Sequence, residues 1–253
     1  MNPASARDIP QDLIEALRHA ECVVALTGSG ISAESGVPTF REAQTGLWER
    51  YDPQQLATPE AFERDPRLVW EWYEWRRRLV TEAEPNPGHL ALAEFEWRVP
   101  SFTLVTQNVD GLHGRAGSRD AIELHGNILR TRCSVERNVQ EPDETGAVPP
   151  LCPSCGAPLR PDVVWFGEML PPRAFEEVSE VARGCDLFLS IGTSSLVYPA
   201  AALPYEALEN GATLVEINAG ETPLTGCADH VLRGRAGAIL PELLRRAFPP
   251  PAP

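Results

Sequence analysis

The sequence contains no lysine: all 22 of its basic residues are arginine. The 36 acidic residues outnumber them and give a formal net charge of -14 at pH 7. This charge argues against a nucleic-acid partner, because phosphate backbones recruit basic surfaces. An anionic ligand would have to be held by backbone amides and individual arginines rather than by the overall field. We attribute the missing lysine to a compositional bias towards Arg, Ala and Pro.

Long hydrophobic runs are also missing. No apolar run approaches the roughly 20 residues that a transmembrane helix needs, and Met1 to Arg7 lack the basic-then-apolar layout of a signal peptide. We therefore expect a cytoplasmic protein with no membrane partner. In that compartment the six cysteines are interpreted as thiols or metal ligands rather than disulfides.

An apolar run of strand length, 23–26, leads into a loop rich in glycine and serine. Gly28, Gly30 and Ala33 match the spacing G-x-G-x-x-A, in which small residues let backbone amides approach a pyrophosphate. The pattern is weak by itself, and a simple strand-to-helix turn is the alternative. The polar loop continues to Arg41, a length that favours a segment closing over a ligand.

Further strand-like runs alternate with helical segments, which predicts a parallel sheet with helices on both faces. The runs lie at 102–106, 121–124, 187–191 and 213–217, with helical segments at 172–183 and 199–210. Two stretches interrupt this order. One is helical, begins at Asp65-Pro66 and stops near Gly88; the other, between Arg130 and Pro161, is rich in Pro, Gly and Cys.

Ligands of open parallel sheets bind at the carboxyl ends of the strands. Five predicted strands place polar residues or glycine at that edge, and we expect these residues to lie together: Thr27-Gly28, Gln107 to Asp110, His125-Gly126, Gly192 to Ser194 and Asn218. His125 is the candidate base, because an imidazole titrates near neutral pH. A structural role is the alternative for a single histidine after a strand.

Two segments, Gln107-Asn108-Val109-Asp110-Gly111-Leu112-His113 and Glu123-Leu124-His125-Gly126, resemble the sirtuins, the NAD-dependent protein deacylases. The glycine loop, Gly192 to Ser194 and Val163 to Glu168 match the same family, and the resemblance runs from about Glu21 to Ala236. It implies an α/β fold: a Rossmann-like parallel sheet with helices on both faces, plus a small domain from a helical insertion and a zinc-binding insertion. We place the large domain at 1–41, 89–129 and 166–248, the insertions at 42–88 and 130–165, and a disordered tail at 249–253.

The resemblance implies NAD as cofactor and His125, Asn108 and Asp110 as catalytic residues. In the implied reaction the acyl-lysine carbonyl oxygen attacks the ribose carbon as nicotinamide leaves, and His125 helps to deprotonate a ribose hydroxyl. A hydride-transferring dehydrogenase would need an acidic residue about 20 positions after the last glycine of the loop, following a strand, and Glu49 and Asp52 follow no recognisable strand. The implied cofactor-binding residues are Gly28, Ser29, Gly30, Ile31, Ser32, Glu34, Thr39, Phe40, Arg41, Gln107, Asn108, Val109, Asp110, Gly192, Thr193, Ser194, Asn218, Ala219, Gly220 and Ala236.

Tyr73 and Arg76 bear on the substrate. They lie three residues apart on the inserted helix and share a face, and we expect them to point away from an apolar stripe that includes Trp72 and Trp75. In the class III branch of the sirtuins, a Tyr-x-x-Arg pair binds the carboxylate of succinyl-, malonyl- or glutaryl-lysine, and a guanidinium fork suits a carboxylate. A solvated basic patch is the alternative. The resemblance also assigns a peptide-binding strand to Val164, Trp165, Phe166, Gly167 and Glu168.

Cys133, Cys152 and Cys155 resemble the structural zinc module of the family, which usually has two Cys-x-x-Cys pairs. Here Glu136 stands where the other cysteine of the first pair is expected. A glutamate oxygen can bind zinc, so a site with three thiolates and Glu136, or another ligand, is one interpretation and a lost site is the other. We favour bound zinc.

These features together predict an NAD-dependent protein-lysine deacylase with NAD and zinc as cofactors and acylated-lysine proteins or peptides as substrates. It would remove succinyl, malonyl and glutaryl groups, and acetyl to a lesser degree. The sequence does not define the oligomeric state, and we favour a monomer. A plain deacetylase or an ADP-ribosyltransferase using the same site is one alternative. A non-catalytic NAD or ADP-ribose sensor is another, and the presence of His125, Asn108 and Asp110 argues against it.

Overall fold

The computed structural model of the chain describes residues 9–38, 52–141 and 146–249. Its strands are β1 Cys22–Thr27, β2 Ser101–Thr106, β3 Ile122–Glu123, β4 Gly126–Cys133, β5 Leu159–Val163, β6 Leu187–Ile191, β7 Thr213–Asn218 and β8 His230–Arg233. Six of them form a sheet in the order β3-β2-β1-β6-β7-β8, and every neighbouring pair in it is parallel. The predicted parallel sheet is confirmed.

Helices cover both faces of this sheet, as predicted. One layer packs α1, α6 and α10 against it, and the other packs α8 and α9. The helices are α1 Gln11–His19, α2 Ser29–Ala33, α3 Pro53–Leu56, α4 Pro59–Arg64, α5 Pro66–Glu82, α6 Pro87–Arg98, α7 Leu112–Arg115, α8 Pro172–Gly184, α9 Leu203–Glu209, which follows a 3-10 turn at Ala200–Ala202, and α10 Ala236–Ala247. Within the described residues, none of these helices is long and apolar enough to cross a membrane.

The position of the central strand β1 explains why its sequence is apolar throughout rather than alternately apolar and polar. Val23 and Ala25 point into the α1/α6/α10 layer, and Val24 and Leu26 point into the α8/α9 layer. All four side chains are buried, and burial of a large aliphatic side chain contributes about 1.5–3 kcal/mol. A strand buried on both faces therefore needs a continuous apolar run.

The two insertions pack together beside the main sheet. Strands β4 and β5 pair antiparallel, and helices α4 and α5 pack on them through a shared cluster that contains Phe62, Trp72, Ile128 and Trp165. This arrangement fits the predicted fold class, a large sheet with a smaller unit built from two insertions. Strand β4 already begins at Gly126, before the predicted start of the second insertion at residue 130.

Helix α5 begins as its sequence predicts, because Asp65 Oδ1 accepts a hydrogen bond from Leu68 N at 3.0 Å and Pro66 occupies the first turn. The expectation that Tyr73 points away from the buried face is wrong. Tyr73 is as buried as Trp72, whereas Trp75 is only half-buried. The reason is that α5 is covered on more than one side, so its buried arc is wider than a single stripe.

The turn between β1 and α2 lies very close to the end of β6. Gly30 N donates to Gly192 O at 2.7 Å, and Gly28 N donates to Ile191 O at 2.9 Å. A Cβ on Gly30 would lie 2.7 Å from Gly192 O, and a Cβ on Gly192, whose φ is +58°, would lie 2.6 Å from Ile31 N. Backbone packing therefore requires these glycines. The N–H groups of Gly28 and Gly30 donate to carbonyl oxygens within the protein, so they are not the donors for a pyrophosphate.

This contact predicts that Gly30→Ala lowers the free energy of unfolding by about 2 kcal/mol, because the added methyl group cannot be accommodated without moving backbone. Urea denaturation provides the measurement. The control is Gly114→Ala in α7, where a Cβ meets no atom within 4 Å and the change should be neutral or slightly stabilising. Equal losses in the two variants would contradict the packing argument.

Candidate active site

A cavity of about 600 Å³ opens at the carboxyl ends of the parallel strands. The five strand ends that the sequence placed at this edge all contribute to its lining. The predicted cofactor and catalytic residues that line it are Gly28, Ser29, Gly30, Ser32, Gln107, Asn108, Val109, Asp110, His125, Gly192, Thr193, Ser194 and Asn218. Thr39, Phe40 and Arg41 lie outside the described residues.

Five predicted cofactor residues are placed elsewhere. Ile31 and Ala236 are buried in the core behind the cavity, and Ala219 and Gly220 are exposed beside it. Glu34 Oε1 accepts a hydrogen bond from Gly237 N at 2.9 Å, at the start of α10. Its carboxylate thus caps a helix, where the positive end of the helix dipole favours it.

Asn108, Ser32 and Asp110 form one hydrogen-bonded unit at the floor of the cavity. Asn108 Nδ2 donates to Gly28 O and to Ser32 Oγ, each at 3.0 Å, and Ser32 Oγ donates to Asp110 Oδ2 at 2.7 Å. Asp110 Oδ1 accepts from Leu112 N at 2.9 Å. Both protons of the Asn108 amide are used within the protein, so its Oδ1 is the atom that can accept from a ligand. Burial raises the pKa of the Asp110 carboxyl.

Two buried histidines lie behind this unit, and the sequence reasoning assigned neither a role. His89 Nδ1 accepts from Asn86 N at 3.3 Å, so the neutral ring carries its proton on Nε2, 3.5 Å from Ser32 Oγ. His113 Nε2 lies 2.9 Å from Thr27 Oγ1, and the two rings are 4.9 Å apart. Burial lowers the pKa of His89 to about 4, and burial together with His89 lowers the pKa of His113 to about 3.

His125 follows β3 and faces the cavity. Its Nδ1 lies 3.1 Å from Gln107 O, and because a carbonyl oxygen can only accept, the ring proton resides on Nδ1. Nε2 is therefore the acceptor atom of the ring. Burial lowers the pKa of His125, against the opposing effect of the Gln107 hydrogen bond. The ring is neutral at neutral pH and has the form that a general base requires.

The predicted substrate residues also belong to the cavity wall. Tyr73, Arg76 and all of 164–168 line the same cavity. Tyr73 is fully buried, and burial raises its pKa to about 12, although Arg76 opposes the shift. Arg76 is half-buried with its guanidinium 5.0 Å from the Trp72 ring, and burial lowers its pKa while Tyr73 and Asp110 raise it. The structure thus brings a phenol and a partly desolvated cation to one wall.

Glu168 is engaged within its own loop. Its two carboxylate oxygens pair with the buried Arg160 at 2.7 and 2.8 Å, and Oε2 also accepts from Trp165 N at 2.9 Å. The Arg160 guanidinium lies 3.3 Å from the centre of the Trp165 ring. Phe166 and Gly167, between these anchors, are exposed at the mouth of the cavity. Glu168 therefore stabilises the conformation of the loop, and Phe166 and Gly167 are its residues accessible at the mouth of the cavity.

Glu216 is a further residue that the sequence reasoning missed. It is a carboxylate in β7 with an exposed fraction of 1%, and it accepts hydrogen bonds from the hydroxyl groups of Thr222 and Thr225 and pairs with Arg233 at 3.3 Å. This network fixes the loop after β7, whose residues 221–223 line the cavity. A buried acidic residue inside an apolar strand is the sequence signal that could have identified it.

The three predicted metal ligands come together with Glu136, one of the alternatives for the fourth position, at the end of β4 and in the adjacent loops. The ligand atoms of Cys133, Glu136, Cys152 and Cys155 all lie within 4.8 Å of one another, and the sulfurs of Cys133 and Cys155 are 3.5 Å apart. Tetrahedral zinc with Zn–S bonds of about 2.3 Å places its sulfurs about 3.8 Å apart, so the cluster fits zinc. Trp70 of α5 packs on two of these cysteines, which joins the metal module to the helix that carries Tyr73.

Comparison with known proteins gives consistent matches. A family model described as the Sir2 family matches residues 28–199, more than half of the chain. An NAD-dependent protein deacylase from Methylococcus capsulatus is 50% identical over 247 residues, covering 94% of this chain and 97% of the relative. A Sir2 homologue crystallised with NAD superposes with a TM-score of 0.89 at 46% identity, covering 98% of this chain and 96% of the other. A Sir2 homologue mutant in complex with 2'-O-acetyl ADP ribose superposes with a TM-score of 0.87 at 47% identity, covering 94% and 96%.

The buried histidine pair predicts that the protein loses stability as the pH falls below about 6.5. The unfolded chain binds protons at the ordinary histidine pKa of 6.5, whereas folded His89 and His113 remain neutral down to about 4 and 3. The stabilisation is complete above pH 6.5 and is lost as the pH falls towards those values, by about 2 kcal/mol per histidine between pH 7 and pH 5.

Urea unfolding at pH 7 and pH 5 measures this loss. In His113→Gln, which keeps a polar side chain but cannot titrate, the loss should be smaller by about 2 kcal/mol than in the wild type. If the free energy of unfolding falls equally in the wild type and in His113→Gln, groups other than His113 cause the acid sensitivity.

Proposed function

Because the chain belongs to the Sir2 family and is an NAD-dependent protein deacylase, we propose that the acyl groups it prefers carry a negative charge. Succinyl and malonyl groups, and the longer glutaryl group, are its best substrates, and acetyl is removed more slowly. One observation supports this preference above others: Tyr73 and Arg76 line the same cavity as His125. The acyl chain of a lysine whose carbonyl lies near His125 would extend towards that pair.

The charge balance of this wall favours an acidic ligand. Burial removes part of the hydration of the Arg76 guanidinium and lowers its pKa. The nearby Asp110 carboxylate is already engaged by Ser32 and by Leu112 N. An acyl carboxylate would accept charge-assisted hydrogen bonds from the Arg76 guanidinium and the Tyr73 hydroxyl group. An acetyl group brings no charge to this wall and gains nothing from either donor.

A second set of cavity residues serves the reacting atoms. When bound, NAD supplies an electrophilic ribose carbon with nicotinamide as the leaving group. We assign Asn108 Oδ1 and the Asp110 unit to holding the nicotinamide and ribose groups, because both face the cavity from a fixed network. His125 keeps its own proton on Nδ1 against Gln107 O, and its Nε2 takes up the proton of a ribose hydroxyl. With one water molecule consumed, the products would be nicotinamide, free lysine and an O-acyl-ADP-ribose.

The peptide flanking the lysine is assigned to the loop 164–168. The amides of Val164, Phe166 and Glu168 donate to His125 O, Ala57 O and Trp165 O at 2.9, 2.9 and 3.0 Å, and the Trp165 amide donates to Glu168. An added peptide strand would therefore pair with backbone carbonyls and with the amide of Gly167. Backbone pairing of this kind depends little on the identity of the side chains, so we expect the enzyme to tolerate many different residues around the acyl-lysine.

The acyl preference is tested with one peptide carrying either succinyl- or acetyl-lysine. We expect Arg76→Met to lower the ratio of kcat/KM for desuccinylation to that for deacetylation about 10- to 100-fold, since hydrogen bonds to charged groups contribute about 1.5–3 kcal/mol. Tyr73→Phe should lower it less. Mass spectrometry of the products measures both reactions and would also detect ADP-ribose left covalently on protein.

The matched control is Arg78→Met, which removes an exposed arginine from the same helix and should leave the ratio unchanged. If Arg76→Met leaves the ratio at its wild-type value, the acidic-acyl assignment is wrong. A covalent ADP-ribose product in place of the deacylated peptide would favour the transferase alternative.

We also propose that Glu136 is the fourth ligand of the zinc held by the three cysteines. Its carboxylate lies within 4.8 Å of all three sulfurs, and its backbone amide donates to Cys133 Sγ at 3.3 Å. Zinc accepts carboxylate oxygen alongside thiolates, and structural sites are almost always four-coordinate. The site would stabilise the module on which α5 packs.

Substitution of Glu136 tests this ligand set. In cobalt-substituted protein, Glu136→Cys should raise the thiolate-to-metal absorption by about one third, the ratio of four thiolates to three, and Glu136→Gln should weaken zinc binding in a chelator competition. Glu141→Gln, an exposed glutamate in the same insertion, is the control. Unchanged zinc affinity in Glu136→Gln would assign the fourth position to another group.

A further inference from the structure

We propose that Trp165 is a positioning residue for acyl selection, because it directs the hydroxyl group of Tyr73. The inference rests on the proposed preference for acidic acyl groups. It adds a residue that contacts Tyr73 from the peptide-facing loop, 92 positions further along the chain.

The contact is a buried hydrogen bond from Trp165 Nε1 to the Tyr73 hydroxyl oxygen at 2.9 Å. Both side chains have exposed fractions of 2% or less. An indole N–H can only donate, whereas a phenol hydroxyl both donates and accepts. Tyr73 must therefore be the acceptor in this bond, and its single proton is reserved for a different acceptor.

The indole is held in place by a cation over its ring and by a second aromatic ring. The Arg160 guanidinium lies 3.3 Å from the ring centre, and the Phe62 ring centre is 5.3 Å away. Arg160 is fixed by Glu168, which also accepts the amide proton of Trp165. Arg160 and Glu168 thus set the direction of the indole N–H, and the orientation of the Tyr73 hydroxyl follows from it.

This arrangement matters for a carboxylate and not for an acetyl group. A hydroxyl that accepts one hydrogen bond becomes a better donor in the next, because bonds in a chain polarise one another. The chain from the indole through the phenol would end on the acyl carboxylate. Burial also raises the pKa of Tyr73, so the hydroxyl keeps its proton at neutral pH. An acetyl methyl group offers no acceptor for that proton.

The test is a double-mutant cycle with Trp165→Phe, Tyr73→Phe and the combined variant, measured on the succinyl and acetyl forms of one peptide. Trp165→Phe should lower the succinyl-to-acetyl ratio of kcat/KM about 3- to 10-fold, the worth of one hydrogen bond. In the Tyr73→Phe background the same change should alter the ratio less than about 2-fold, because the hydroxyl is already absent.

Phe62→Leu is the packing control. It removes volume against the same indole without touching the N–H, so we expect lower thermal stability with the ratio within about 2-fold of wild type. If Trp165→Phe does not fold, 3-benzothienylalanine at position 165 replaces the N–H by sulfur at nearly the same volume and should give the same loss of ratio.

Three results would overturn the inference. Equal losses of both activities in Trp165→Phe would limit the residue to holding its loop. Independent effects of the two substitutions in the combined variant would mean that Trp165 does not act through the Tyr73 hydroxyl. A wild-type ratio that responds to neither Tyr73→Phe nor Arg76→Met would overturn the acidic-acyl proposal itself, and this inference with it.

Discussion

The structure depends on the direct backbone contact between the turn after β1 and the end of β6. Only residues without a Cβ allow Gly30 and Gly192 to approach to 2.7 Å between nitrogen and oxygen. Once α2 is anchored there, Ser32 reaches Asn108 and Asp110. On the other side of the turn, Gln107 Nε2 donates to Thr193 Oγ1 at 3.0 Å. The polar floor of the cavity is therefore a consequence of one steric requirement between two neighbouring parallel strands.

The cavity has two halves of different origin. The half that we assign to the nucleotide is made mainly by strand ends of the main sheet, and the half that we assign to the acyl group is made mainly by the two insertions. His125 lies where they meet, because its ring bonds to Gln107 O while its own carbonyl accepts from Val164 N. Gly126 allows this junction: its φ is +79°, and a Cβ there would lie 2.1 Å from Asp162 O. A single residue thus belongs to both halves by its hydrogen bonds.

The sequence predicts the main sheet well because parallel strands buried on both faces are apolar throughout, and because their carboxyl ends share one edge. The metal cluster is also predictable, since the spacing of Cys152 and Cys155 is itself a ligand pattern. The His89–His113 contact and the Trp165–Tyr73 bond have no such local signal. They join residues far apart in the chain and depend on packing between elements. Helix α6 was not identified for a related reason: it is buried on several sides and shows no apolar stripe.

Trp70 and Tyr73 stand on the same helix, one turn apart, with the metal module against the first and the cavity against the second. A displacement of the cysteine loop would therefore be transmitted through α5 to the cavity wall at Tyr73. It would reach the strand ends that carry Asn108 and Asp110 later, because these rest on the main sheet rather than on the metal module.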